Sequence, residues 1–329
     1  MGDNMVSILC LAYNHEKYIR QCLDSLVCQK FDHDYEIIVH DDASTDGTRS
    51  IIEEYAEKYP DLIKPIFQTE NQYSKGVKMA ETLLYPAVAP ETKYVAYCEC
   101  DDYWCDEYKI QKQFNALESN PNCSFCVTKV LKVTEGGEST NEYLPPNDIK
   151  GGIIKSREFI RMTCYERYAF QTASYMHPIK YEREMQSVPT FIQICSAGDM
   201  VKLWLYGDKG DVFYIDEATA CHRLESMGSW TERIAMNEKL YIEHLENMIE
   251  TAKEYNKYTK GKYNAYCKYY ITQRKWMVAH YTEDYREMVK KEYRKYFDEL
   301  SFRERLFAFL NVYFPHIVMV RNFILKRKK

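Results

Sequence analysis

The chain has 329 residues, 46% of them hydrophobic and 28% charged, which is long enough to bury a sizeable core and ordinary for a soluble globular protein. Its net charge of −5 does not suggest a nucleic-acid-binding surface, and the opening stretch MGDNMVSILCLAYNHEKY lacks the basic segment and long apolar core of a secretory signal. The 12 cysteines have no regular spacing and are expected as reduced thiols in a cytoplasmic protein, while the 30 tyrosines suit half-wet grooves and interfaces.

In chain order, MVSILCLAY reads as a buried strand, and EKYIRQCLDSLVCQ follows as a helix that places Tyr18, Ile19, Cys22, Leu23 and Leu26 on one face. YEIIVHD is a second strand, and TRSIIEEYAEKYP an amphipathic helix closed near Pro60. LIKPIFQ makes a third strand, a helix is expected around Lys78–Tyr85, and YVAYCEC makes a fourth strand. Strands separated by helices imply parallel pairing with helices on both faces, an α/β layered sheet. Ligands of such a sheet bind beyond the carboxyl ends of its strands. Those ends are where polar residues collect: Tyr13-Asn14, Asp41-Asp42, Gln68 to Asn71, and Glu99 to Asp102.

A helix over Tyr108 to Leu117 comes next, then the strand CSFCVTKVLKV and a loop EGGESTNEYLPPND. GDMVKLWLYGDKG reads as a helix with a glycine stop, and DVFYIDEATACHR as a strand running into a polar loop. From Thr231 to about Lys295 the chain is polar, Tyr-rich and helical, which sets a domain boundary near Trp230. The tail LFAFLNVYFPHIVMVRNFILKRKK is broken by Asn311, Pro315, His316 and Arg321, short of the ~20 apolar residues that a membrane span needs. Its basic end, Arg321 and Lys326 to Lys329, leaves two readings: a helix lying on an anionic inner membrane surface, or a terminal helix packed on the body.

The acids carry the chemistry. In YVAYCECDDYW, Glu99 and Asp101 are two apart, so on an extended strand both carboxylates point the same way. Two hard oxygen ligands at a strand end suit Mg²⁺ or Mn²⁺, which keep waters and share their remaining positions with phosphates. In DDASTDGT, helix capping and a turn account for Ser44 to Thr48 but not for consecutive Asp41 and Asp42, which are placed to accept hydrogen bonds from a base or a ribose. Other constellations fail: Cys123 and Cys126 lack the second pair of a zinc site, no G-x-G-x-x-G or P-loop occurs, and His15-Glu16 lacks a second histidine.

Taken in order, LAYNHEKYIRQCLDSLVCQ, IVHDDASTDGT and YVAYCECDDYW resemble the family 2 glycosyltransferases, inverting nucleotide-sugar-dependent enzymes with a GT-A fold, over roughly residues 5 to 230. The resemblance implies a mostly parallel sheet flanked by helices, with a Rossmann-like nucleotide-binding half. It divides the chain into a transferase domain at 1–230, with a donor half to about 107 and an acceptor half from 108, and a helical extension at 231–329. Ala12, Tyr13 and Asn14 match the family's nucleobase loop, and Asp41 and Asp42 its aspartate pair. Glu99-Cys100-Asp101 stands where the family writes Asp-x-Asp, making Asp101 the expected metal and diphosphate ligand, with Glu99 near the ribose or the metal waters and Asp102 in the same loop. Asp199, at a helix start after Gly198, matches the general base, and an N-cap role there can coexist with catalysis. His222, Arg223 and Trp230 match the loop over the diphosphate, His222 as a third metal ligand and Arg223 to neutralise leaving-group charge.

The implied function is transfer of a sugar, from a UDP-linked donor by expectation, to a glycan or lipid-linked acceptor in surface polysaccharide synthesis on the cytoplasmic face. A divalent cation is implied as cofactor, and the basic tail as a peripheral membrane contact. Two rivals use the same residues: a metal-dependent nucleotidyl or phosphoryl transferase, and a carbohydrate-binding protein without catalysis.

Overall fold

The structure, a computed structural model, describes residues 4–146, 148–165, 169–224 and 236–316. Trp230 and the basic end of the tail lie outside the described residues. Two compact units emerge, one formed by Met1–Val188 with Gly198–Ser229, the other by Pro189–Ala197 with Trp230–Lys329.

The first unit is built on one mixed ten-stranded sheet. Its strands are β1 (Asn4–Ala12), β2 (Asp34–Asp41), β3 (Ile63–Phe67), β4 (Tyr94–Glu99), β5 (Tyr103–Trp104), β6 (Cys123–Val133), β7 (Ser139–Leu144), β8 (Gly152–Ile154), β9 (Met176–Pro178) and β10 (Asp211–Arg223). The order is β3-β2-β1-β4-β9-β6-β10-β5, with β7 on β6 and β8 on β10. β1 to β4 are parallel, as the βα alternation predicts. β9 is antiparallel to both β4 and β6, so β6 and its parallel partner β10 run the same way as β1 to β4. Six strands therefore end at one edge, at Ala12, Asp41, Phe67, Glu99, Val133 and Arg223.

Helices α1 (Ile19–Val27), α2 (Thr48–Lys58) and α3 (Lys109–Ser119) cover one face. Ile19, Cys22, Leu23 and Leu26 of α1 and Ile51, Ile52 and Tyr55 of α2 pack on Ile8, Cys10, Ile37 and Val39 of the strands, all buried. α4 (Ser156–Cys164) and α5 (Gly198–Lys209) pack closely: a Cβ on Gly207 would stand 2.7 Å from Cδ1 of Phe159.

Several assignments differ from the sequence reading. Ser139–Leu144, expected as loop, is the polar strand β7 hairpinned on β6. Lys78–Tyr85 contains a π-helical turn at Ala80–Leu84 rather than a regular helix. Tyr103-Trp104, read only as aromatics after the acids, is β5, which returns antiparallel against β10. The three residues of β9 escaped notice, although they join the two parallel blocks of the sheet. β9 is held by side chains as much as by its ladder: His177 is fully buried, stacked on Tyr206 at 3.7 Å, with Nε2 2.8 Å from the Tyr97 hydroxyl. Burial keeps that imidazole neutral, with its pKa pushed down to about 3.

The second unit is helical. Its main elements are α6 (Glu238–Tyr258), α7 (Asn264–Tyr281) and α8 (Phe302–Tyr313). The segment Pro189–Ala197 docks on α6: Phe191 meets Tyr255 at 5.2 Å, and Asn247 bonds both to the Ser196 N–H, at 2.8 Å, and to the Ile194 carbonyl, at 2.7 Å. Among the described residues, no helix is long and apolar enough to cross a membrane.

Candidate active site

The loops beyond the strand ends are tied to one another by polar side chains. Asn14 sits in the left-handed region (φ 55°), which asparagine tolerates better than most residues. That turn aims its carboxamide at the loop after β2, where Oδ1 accepts the Thr45 N–H at 2.8 Å, while Ser44 Oγ accepts the Asn14 N–H at 2.9 Å. Glu16 takes the Gly47 N–H at 2.9 Å, and Asp46 takes the Glu16 N–H at 3.1 Å. Gly47 leaves room for that approach: a Cβ there would lie 2.7 Å from the Glu16 carboxyl, which would have to swing aside. The ring of Tyr13, between these anchors, is 46% exposed.

Ala12 and the aspartate pair lie deeper than expected. Ala12 is buried, and its carbonyl accepts the Asp42 N–H at 3.0 Å. Asp42 spends both carboxylate oxygens on the next loop, accepting the Gln72 N–H at 2.7 Å and the Tyr73 N–H at 3.0 Å. Asp41 is fully buried: Oδ1 accepts the Ser44 N–H at 3.3 Å, and Oδ2 is an acceptor with no hydrogen-bond partner. A buried carboxylate oxygen left without a donor is costly, and it is suited to a donor group on a ligand.

The acidic strand end separates into different roles. Cys100 turns inward, where it packs fully buried with Cys10, Cys22 and Cys98, so its side chain does not face a ligand. Asp102 is also buried: its Oδ1 accepts the Arg223 N–H at 2.8 Å, and both oxygens lie 3.2 Å from Nδ1 of His222. It clasps the end of β10 to the end of β4 and is not a free donor to a ligand. Burial lowers the pKa of His222, but the Asp102 carboxylate outweighs it and the net shift is upward. On Asp102 burial wins over the His222 hydrogen bond, and the carboxyl is raised.

Arg223, expected to face the diphosphate, is buried and committed elsewhere. Its Nε donates to the Asp101 carbonyl at 2.9 Å, one terminal nitrogen to the Glu135 carbonyl, and the other to Gln21 Oε1 at 2.7 Å. The Tyr18 ring covers it at 4.8 Å. A guanidinium so engaged is a clamp between β4, β10 and α1. His222 is likewise drawn back onto Asp102, and among the described residues no three His, Cys, Asp or Glu side chains converge to hold a metal ion. The contact with Asp102 engages only Nδ1 of His222, so His222 stays, with Glu99 and Asp101, a proposed ligand.

Asp199 arrives from α5 at the same edge. It is exposed in the first turn, with Oδ1 accepting the Met200 N–H at 2.8 Å. Burial pushes the Glu99 carboxyl up to about 8, and the negative charges of Asp101, Asp102 and Asp199 act in the same direction. Lys202, one turn after Asp199, works against that repulsion and lies 4.9 Å over the Tyr97 ring. Sequence reading passed over Lys202, although its i+3 spacing from Asp199 puts both on one helix face. The donor set fits a hard cation: half-buried carboxylates that repel one another gain from a divalent charge.

The raised Glu99 pKa has a sign that can be measured. Its ordinary value is 4.5, so its stabilising contribution is complete below that pH and is lost as pH rises through about 8. The melting temperature of the metal-free protein should fall between about pH 5 and pH 8, and Glu99→Gln should flatten that fall by a few degrees. Superimposable profiles for the two proteins would remove Glu99 as the cause.

The model of the family described as glycosyl transferase family 2 matches residues 7–195. The protein Rv1520 of Mycobacterium tuberculosis is 35% identical over 159 residues, 47% of this chain and 44% of that protein. The putative teichuronic acid biosynthesis glycosyltransferase TuaG of Bacillus subtilis is 29% identical over 140 residues, 43% of this chain and 52% of that protein. The chain thus spans about half the length of these relatives. Among solved structures, S. aureus TarS in complex with UDP superposes with a TM-score of 0.57 at 18% identity, over 92% of this chain and 77% of that one. The mannosyltransferase PcManGT of Pyrobaculum calidifontis, in complex with GDP-Man and Mn²⁺, gives 0.54 at 16% identity, over 97% and 83%. At these identities the superpositions establish the fold, that of GT-A glycosyltransferases.

Proposed function

The chain belongs to glycosyl transferase family 2, and on that premise we propose that it transfers a sugar from a UDP-linked donor, with inversion, to a glycan or lipid-linked acceptor in surface polysaccharide synthesis. One observation carries the reading: Asp199, a hundred residues beyond Glu99, comes into electrostatic reach of the Glu99–Asp101–Asp102 strand end. A proton acceptor beside an anionic phosphate-and-metal end is what in-line displacement at an anomeric carbon requires.

Tyr13 offers an exposed ring face to the nucleobase, and Asp41 Oδ2, held in place beside the engaged Asp42, offers an acceptor to the base or ribose. Asp101, Glu99 and His222 are the residues that would hold Mn²⁺ or Mg²⁺, which when bound supplies positive charge to the diphosphate. Asp199 takes the proton of the acceptor hydroxyl as that oxygen attacks the anomeric carbon, and the bond from that carbon to the diphosphate breaks on the opposite face, releasing UDP. Asp102 and Arg223 act by position, fixing the end of β10 against the loop that carries Asp101. The setting is the cytoplasmic face of a membrane.

A donor screen tests this. UDP-sugars should be consumed with release of UDP in the presence of Mn²⁺, and faster with an acceptor glycan than without one. Pyrophosphate release from a nucleoside triphosphate would instead favour nucleotidyl transfer. Glycan binding without consumption of any donor would favour a binding protein.

A further inference from the structure

Among the described residues of the second unit, α8 turns an apolar side away from its own packing. Along α8, Phe302, Leu306, Phe309 and Tyr313 recur at i, i+4, i+7 and i+11, which aligns them in one stripe along the helix. They are exposed by 73%, 44%, 46% and 59%, and Phe314 beyond them by 49%. The stripe is continuous: the Phe309 ring lies 4.7 Å from Tyr313 and 6.0 Å from Phe314. The opposite side does the packing, with Ala308 buried and Phe307 edge-on to Tyr285 at 5.6 Å. A capping box fixes the helix start, since Ser301 accepts the Glu304 N–H and Glu304 accepts the Ser301 N–H at 2.8 Å. The helix and its apolar side are therefore preformed.

Charge says what covers that side. The last 39 residues hold ten Lys and Arg against four Asp and Glu, whereas the whole chain holds 44 against 49. The chain before Lys291 is thus strongly acidic, and the cationic charge is concentrated around this helix. Arg303 and Arg305 flank the stripe on its two sides, and five further cations, Arg321 and Lys326 to Lys329, follow in sequence. A second copy would bring like charge to like charge. An anionic lipid surface complements it, and aromatic rings flanked by cations are suited to the headgroup boundary.

We propose that α8 is an interfacial helix that seats this chain on an anionic bilayer, with Phe302, Leu306, Phe309, Tyr313 and Phe314 entering the headgroup region. The acidic remainder of the chain is repelled by the same surface, which turns α8 toward the membrane. This assignment does not depend on the catalytic reading.

Flotation of the full chain tests it, using vesicles of phosphatidylcholine alone or with about one-third phosphatidylglycerol. The wild type should float with the anionic vesicles and not with phosphatidylcholine, and less as salt is raised. Leu306→Glu combined with Phe309→Glu should cut the bound fraction about tenfold with an unchanged thermal melt, because both side chains are exposed. Phe302→Glu is the alternative variant should the pair perturb folding, and it should weaken flotation in the same direction. Flotation of these variants equal to wild type would overturn the proposal in favour of the basic tail alone. A wild type that ignores both vesicles but forms a dimer abolished by Leu306→Glu would overturn it in favour of a second copy.

Discussion

Asp199→Asn should lower turnover by about a thousandfold, within the range of a lost general base, while changing the KM for the nucleotide sugar less than threefold. The substitution keeps an oxygen that can accept the Met200 N–H, and the side chain is exposed, so the thermal melt should stay where it is. What it removes is the capacity to hold a proton at the edge where Glu99, Asp101 and Asp102 gather. An N-cap role alone predicts little change in kcat, because asparagine caps a helix as well as aspartate does. Steady-state kinetics with the best donor and acceptor separate the two. A loss below tenfold would place the base elsewhere.

Neighbouring aspartates should fail in opposite ways. Asp102→Ala removes the buried carboxylate that receives the Arg223 N–H and faces His222, leaving both without their acceptor. That should cost about 3 kcal/mol, or roughly 6–12 °C in melting temperature for a unit of this size. Asp101→Ala leaves the clasp intact, because Arg223 binds the Asp101 carbonyl and not its carboxylate. It should melt closer to wild type than Asp102→Ala does yet lose the enhancement of UDP-sugar binding by Mn²⁺. Thermal melts and calorimetric titration distinguish the cases. The assignment falls if Asp101→Ala is the unstable variant, or if Asp102→Ala melts like wild type.

Much of the first half of the sheet was readable because its information is local. Ile8 and Cys10 on β1, and Ile37 and Val39 on β2, occur in short apolar runs between helical repeats, and such runs are buried parallel strands. The polar residues at the ends of β1, β2 and β4 stood out because each followed such a run. What the sequence could not show was which acid was already engaged. Asp102 and Asp101 are adjacent and look alike, yet the partners of Asp102 lie about 120 residues away on β10. Arg223 looked available for the same reason: its acceptors come from Gln21, Asp101 and Glu135, three separate segments. β7 was hidden by its polarity, since STNEYL pairs on one edge without burying a face. β9 is too short to leave a periodic signal.

That short strand bears on how the first unit holds together. Backbone pairing across β9 amounts to three register positions with β4 and one with β6, and Pro178 has no N–H to contribute. The blocks on either side are the parallel sets β3-β2-β1-β4 and β6-β10, the second broken by three register shifts, and α3 packs against both. Cohesion between them is shared by His177, wedged between Tyr206 and Tyr97, by the Asp102–Arg223 clasp, and by α3, whose Phe114 meets Tyr94 and whose Gln113 bonds the Cys126 carbonyl. The aromatic latch at His177 is thus one of these three ties across the seam between the two ladders. Glu99 ends β4, three residues beyond its short ladder with β9, so the acidic strand end lies beside that seam.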